Sequence, residues 1–313
     1  MFVILRRFLR AGAALVLIVL LAVGVIYAWP LGLDEGTAYP VSFSEAQARI
    51  GRLVDADESD PEVTAECRSQ ALIHSGRTAK SVLMLHGYTG CPAQMSSLAR
   101  RFYDQGYNVW VPRAPRQGVT DPKAHAGLTT DELLAYASDS FDLTAGLGDE
   151  AGVVGISGGA VLATWLARHR PAARLLTLSP FYAPSAKQAP AWQVKPMIVL
   201  YGNRLLPDRY AAGTGFSFFA LSQYLRIARN LDGGRSTTLK SIGLVTSEAD
   251  TYIDLRRATE VAESLGPITR FTLPASWGIG HNIVAPAVLG PRTASLEKTY
   301  FELYEGRTVS AVG

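Results

Sequence analysis

The chain has 313 residues, 48% of them hydrophobic and 18% charged, with a formal charge of +3. Arg6, Arg7 and Arg10 precede the first apolar segment, so the remainder is close to neutral, which argues against a nucleic-acid partner. The residues beyond that segment suffice for one large α/β domain with a well-buried core.

Ala11 to Trp29 is an apolar run without a charge. At 1.5 Å per residue its ~19 residues reach about 28 Å, close to the hydrocarbon thickness of a bilayer. It is expected to be a transmembrane anchor over 11–29, with 1–10 as a cytoplasmic N-terminus. The arginines lie before it and Asp34 and Glu35 after it, so the positive-inside bias puts the rest of the chain on the extracytoplasmic side, as a single-pass protein. A removable signal peptide is the rival reading. It would need a small-x-small cleavage site, and Tyr27-Ala28-Trp29-Pro30 does not supply one.

Residues 30–65 read as a connector with one short helical stretch, Ser44 to Val54, and an acidic end at Asp55–Asp60. The body, 66–313, then alternates strand and helix. Ser81 to Leu85 is a short buried-strand pattern running into His86-Gly87-Tyr88-Thr89-Gly90, a loop whose backbone amides can point at a developing oxyanion. The only cysteines are Cys67 and Cys91. Outside the cytoplasm a bridge between them is chemically permitted and would stabilise by about 3 kcal/mol; two unpaired cysteines are the other reading. Helices are expected at Gln94–Gln105 and Thr130–Leu147, the second opened by a capping box of Thr129 with Glu132.

Residues 153–166 read Val-Val-Gly-Ile-Ser-Gly-Gly-Ala-Val-Leu-Ala-Thr-Trp-Leu, an apolar strand, then Gly155-Ile156-Ser157-Gly158-Gly159, then an apolar helix to Arg168. A serine between strand and helix, flanked by glycines that let the two approach closely, is the context of a nucleophile elbow. The amide of Gly158 would be one oxyanion donor and that of Tyr88 the other. The stretch 181–238 loosens into prolines, glycines and aromatics, either lining an apolar acyl pocket or forming the core of a small cap. Ser241 to Thr246 and Ile268 to Leu273 are further strands, the first leading to Glu248 and Asp250 and the second to His281. Asp254 precedes an amphipathic helix ending at Gly266 and is better explained as its N-cap, which leaves Asp250 and Glu248 as nearby candidate acids. His169 sits where a helix C-terminus needs no other explanation. His74 and His125 carry no partner signal, and His86 is expected to brace its turn by hydrogen bonds. A last helix is expected over Thr293–Tyr304.

With these residues in place, the chain from about 71 to 305 resembles the α/β-hydrolase superfamily, in its serine carboxylesterase and lipase branch. The resemblance rests on His-Gly-aromatic-Thr-Gly at 86–90, Gly-x-Ser-x-Gly at 155–159, Asp250 and Gly280-His281, in the order Ser157, Asp250, His281. It implies a mostly parallel sheet with helices on both faces and a cap at 181–238. It further implies Ser157 as nucleophile, His281 as general base, Asp250 as the orienting acid, and the Tyr88 and Gly158 amides as the oxyanion hole. Arg116-Gln117-Gly118 stands where many lipase-like members have Gly-His-Gly, a departure that speaks against close kinship with the monoacylglycerol-lipase-like members but not against the fold.

The residue types require one another. A serine hydroxyl is a weak nucleophile at neutral pH, so a histidine must take its proton and later hand it on, and a carboxylate must hold that histidine in one tautomer. The expected substrate is a small-molecule or lipid-like ester. No cofactor is implied, and no metal motif such as H-E-x-x-H or C-x-x-C is present. An acyltransferase or serine peptidase would use the same three residues, and a non-catalytic membrane-tethered scaffold would keep the fold alone.

Overall fold

A computed structural model describes residues 2–33, 37–211 and 215–308. Helix α1 spans Phe2–Ala28, and its Leu9–Ala28 portion is long and apolar enough to cross a membrane, with none of it buried in the protein. This portion begins two residues before the expected span. Asp34 and Glu35, used above to orient the anchor, lie outside the described residues.

The first half of the body contains α2 (Phe43–Ser59), β1 (Gln70–Leu72), β2 (Thr78–Leu85), α3 (Ser96–Asp104), β3 (Asn108–Val111), α4 (Thr130–Leu147) and β4 (Gly148–Ile156). The second half contains α5 (Gly158–His169), β5 (Arg174–Leu178), α6 (Ala191–Leu200), α7 (Phe218–Ala228), β6 (Ser241–Ser247), α8 (Leu255–Leu265), β7 (Thr269–Leu273), α9 (Pro286–Leu289) and α10 (Thr293–Tyr304). The seven strands form one sheet in the order β1-β3-β2-β4-β5-β6-β7. Only β1 runs antiparallel to its neighbour.

Side-chain alternation along the strands divides the core in two. Leu83 and Leu85 of β2 face a cluster with Phe141 of α4, Trp165 of α5 and Tyr224 of α7. Val82 and Met84 of the same strand face the other layer, against Phe102 of α3 and Tyr300 and Tyr304 of α10. From β2 the chain passes to β3 on one side and then to β4 on the other. A crevice therefore opens beyond the C-terminal ends of β2 and β4, where an open parallel sheet places its ligands.

The expected helices are present, with α4 at the expected bounds and its capping box formed by Thr129 and Glu132. The first of them begins two residues late because Pro92–Met95 is a 3₁₀ turn. The connector expected over 30–65 is corrected. Leu33 packs on the main core, and Ala46 and Ile50 of α2 lie inside it. Asp57, in the same helix, accepts hydrogen bonds from the Ser69 amide and hydroxyl and from the Arg113 guanidinium. Burial pushes its carboxyl up, but those bonds hold it below the ordinary carboxylate value. The acidic run read as part of a connector because nothing local reveals that Asp57 has a cationic partner 56 residues away.

Candidate active site

Ser157 occupies the single residue between β4 and α5, with φ 54° and ψ −118°. A non-glycine residue in the left-handed half of φ space stores about 1–3 kcal/mol and is tolerated only where neighbours over-determine it. Here its amide donates to the Leu178 carbonyl, and its own carbonyl accepts from Ala160, Val161 and Phe181. The flanking glycines are there for close approach. A Cβ on Gly159 would lie 2.2 Å from the Leu85 carbonyl oxygen and one on Gly155 would lie 2.4 Å from the Gly159 oxygen. Backbone on both sides cannot give way, so only hydrogen fits.

The turn aims Ser157 at a residue far along the chain. Ser157 Oγ and His281 Nε2 are 2.7 Å apart, and His281 Nδ1 and Asp250 Oδ2 are also 2.7 Å apart. The Asp250 side chain is fully buried and that of His281 is 22% exposed. The other Asp250 oxygen accepts the Tyr252 amide at 2.8 Å, which fixes the carboxylate plane. The rival acids are engaged elsewhere: Glu248 accepts from the Ala275 amide, and Asp254 caps α8 through the Arg257 amide. With Nδ1–H donated to Asp250, His281 Nε2 is left as an acceptor for the serine proton, the arrangement general-base activation of a hydroxyl requires.

Gly158 is the first residue of α5, so its N–H has no acceptor within that helix. Tyr88 adjoins it, since a Cβ on Gly158 would lie 3.2 Å from Tyr88 Cβ. The loop carrying Tyr88 is braced from three sides. Gln94 Oε1 accepts from the Gly87 amide at 2.9 Å, and Gln117 Oε1 accepts from the Thr89 amide at 2.8 Å while its Nε2 donates to the Tyr224 hydroxyl at 3.1 Å. Neither Gln94 nor Gln117 is singled out for this role by the sequence: Gln94 acts on an amide seven residues before it, and Gln117 acts across a fold contact. Gln117 was visible only as a departure from Gly-His-Gly.

On the third side, Cys67 and Cys91 are disulfide-bonded with Cα atoms 5.0 Å apart. Gly118, at φ +69°, makes room for the bridge: a Cβ there would lie 2.6 Å from Cys67 Cβ. Replacing both cysteines by serine is expected to lower stability by about 3 kcal/mol in the chain-entropy model, read as a lower midpoint in chemical denaturation. A midpoint unchanged from wild type would show that the bridge adds nothing to the fold.

His86 braces the turn as expected. Its Nε2 accepts from the Ala114 amide, so the proton sits on Nδ1 and is donated to the Gly87 carbonyl. Burial, with a smaller push from the nearby Arg113 charge, pulls its pKa from 6.5 to about 4. Between these values the unfolded chain binds a proton that the folded one refuses. Stability is therefore complete above pH 6.5 and falls by about 3 kcal/mol as the pH drops toward 4. Denaturation midpoints across that range should slope steeply in wild type and less in His86→Gln, and equal slopes would contradict this.

The remaining histidines pack against other aromatic rings. His74 stacks on Tyr103 and His169 on Trp165, while His125 is buried edge-on to Tyr88. Among the described residues no three His, Cys, Asp or Glu side chains converge to hold a metal ion.

Solved structures share this architecture. A structure from a study of the metagenome-derived lipolytic enzymes LipS and LipT superposes with a TM-score of 0.60 at 18% identity, covering 79% of this chain and all of that one. The chain has the α/β-hydrolase fold. Saccharomyces cerevisiae monoglyceride lipase matches with a TM-score of 0.56 at 10% identity over 78% of this chain and 92% of its own. Paleococcus ferrophilus monoacylglycerol lipase matches with 0.56 at 16% over 76% and 98%. These likenesses are of fold. No family model and no curated protein matches the sequence. In this α/β-hydrolase fold the stretch between β5 and β6 carries α6 and α7. Tyr224 of α7 and Phe216 beside it pack on Tyr88, with ring centroids 5.3 and 5.2 Å away.

Proposed function

We propose that this protein is a membrane-anchored serine hydrolase that cleaves carboxylic esters through an acyl-enzyme, with its α/β-hydrolase domain on the extracytoplasmic side. The observation carrying the reading is the unbroken relay from Ser157 through His281 to Asp250, two contacts of 2.7 Å on a strained turn. Ser157 Oγ attacks the ester carbonyl as His281 Nε2 takes its proton, and the tetrahedral oxyanion is held by the Tyr88 and Gly158 amides. Collapse expels the alcohol, which receives the proton from His281. A water then enters and attacks the acyl carbon as the same nitrogen takes its proton, and collapse releases the acid while that proton returns to Ser157 Oγ. Asp250 keeps its charge throughout and stabilises the imidazolium.

The test is full-length protein in detergent, assayed with p-nitrophenyl esters of graded chain length and a fluorophosphonate label. Labelling with turnover supports the reading, and the chain-length profile sizes the acyl site. Product analysis in the presence of an added alcohol separates hydrolysis from acyl transfer. Folded protein that neither labels nor turns over would leave the tethered scaffold as the working reading.

A further inference from the structure

The end of α1 is fastened to the insertion between β5 and β6. The Tyr27 hydroxyl donates to the Trp192 carbonyl at 2.6 Å, and Lys195 Nζ donates to the Tyr27 carbonyl. Beyond the helix, Asn230 Nδ2 donates to the Leu31 carbonyl and Arg226 to the Gly32 carbonyl, and Leu31 packs against Val194, Ile198 and Leu225. The segment after the membrane span therefore lies along α6 and α7 and holds them at its exit point.

Those elements carry what a bilayer surface would bind. Trp192 is 64% exposed and Leu205 55%, with Leu206 also exposed. Large apolar side chains exposed in α6 and in the turns just beyond it leave apolar area in water, which is unfavourable. The surrounding charge is lopsided: residues 181–238 contain seven Lys or Arg and two Asp or Glu, although the whole chain carries only +3. Lys187, Arg204 and Arg209 are among the exposed ones.

We propose that the 181–238 insertion docks on the bilayer surface where α1 emerges, with Trp192, Leu205 and Leu206 entering the interface and the basic side chains facing anionic phospholipid headgroups. The inference rests on α1 being a retained membrane span. Apolar insertion and cation attraction to anionic lipid act together at such a surface, the latter worth about 1 kcal/mol per basic residue close to it. The same surface leads to the catalytic residues. Arg226 in α7 and Asn230 just beyond its end hold the anchor's exit, while Tyr224, two residues before Arg226, touches Tyr88 beside Ser157. Docking thus sets the mouth of the site against the leaflet and favours esters whose acyl chains lie in it.

The test uses the full chain in nanodiscs of phosphatidylcholine with about 30 mol% anionic lipid. Bimane is placed in turn on Leu205→Cys, Trp192→Cys and Asp149→Cys; the native cysteines are paired and do not react. Asp149 lies at the opposite end of β4 from Ser157. Headgroup-depth nitroxide lipids should quench the labels at 205 and 192 severalfold and leave the one at 149 unchanged. Equal, weak quenching at all three positions would overturn the docking. Resistance of the wild type to alkaline carbonate extraction reads the anchor separately: a chain stripped by carbonate sinks the anchor, whatever the labels report. Stripped chain is then added to anionic vesicles. Binding weakened by Trp192→Ala with Leu205→Glu would support the docking surface, and no binding would refute it.

Discussion

Ser157→Ala is expected to lower ester turnover by about 10⁶-fold and to abolish fluorophosphonate labelling while the protein stays folded. The hydroxyl makes one contact, to His281 Nε2 at 2.7 Å. The backbone at 157 is held by four hydrogen bonds that alanine keeps. Stability should therefore change by no more than about 1 kcal/mol. Ser157→Gly makes the sharper companion. It removes the same nucleophile but takes φ 54° without a Cβ, so it should be as inactive as alanine and more stable than wild type by about 1 kcal/mol. The pair separates chemistry from strain. Turnover surviving in either variant would remove Ser157 from the mechanism, and a glycine variant no more stable than alanine would show that the turn is not strained.

Asp250→Asn should cost about 10⁴ in turnover with little loss of fold. The size follows from a hydrogen-bond constraint. One carboxylate oxygen already accepts the Tyr252 amide, so an asparagine must keep its carbonyl oxygen there and turn its NH₂ toward His281 Nδ1. That nitrogen must then accept, which moves the imidazole proton to Nε2 and sets an N–H against the Ser157 hydroxyl. A base that already holds its proton cannot take another. Single-turnover acylation with a p-nitrophenyl ester is the measurement. Acylation within tenfold of wild type would mean that another group orients the histidine; Glu248 and Asp254 are already committed to backbone amides.

Much of the site could be read locally. Val153 to Leu166 carries its own strand, turn and helix signals, and the glycines at 155 and 159 are needed by any strand and helix that pack so closely. Asp254 announced itself as a cap by its place before Leu255, which left Asp250 and Glu248 as the nearby acids. The acidic stretch after Val54 reads as the end of a connector because its pairing partner lies elsewhere in the sequence. Asp57 is buried, and its compensating Arg113 is contributed by the segment following β3.

The amino-acid sequence by itself determined the alternation of strands and helices, the turn that presents Ser157 and the apolar N-terminal helix, because each depends on periodicity or on backbone preferences within a few residues. Only the tertiary structure decided which carboxylate meets His281, that Gln94, Gln117 and a disulfide clamp the loop bearing Tyr88, and that the segment leaving α1 lies along α6 and α7. Those contacts join residues from 7 to 199 positions apart. Their geometry depends on strand order and on which loops meet above the sheet, and neither leaves a mark in the residues nearby.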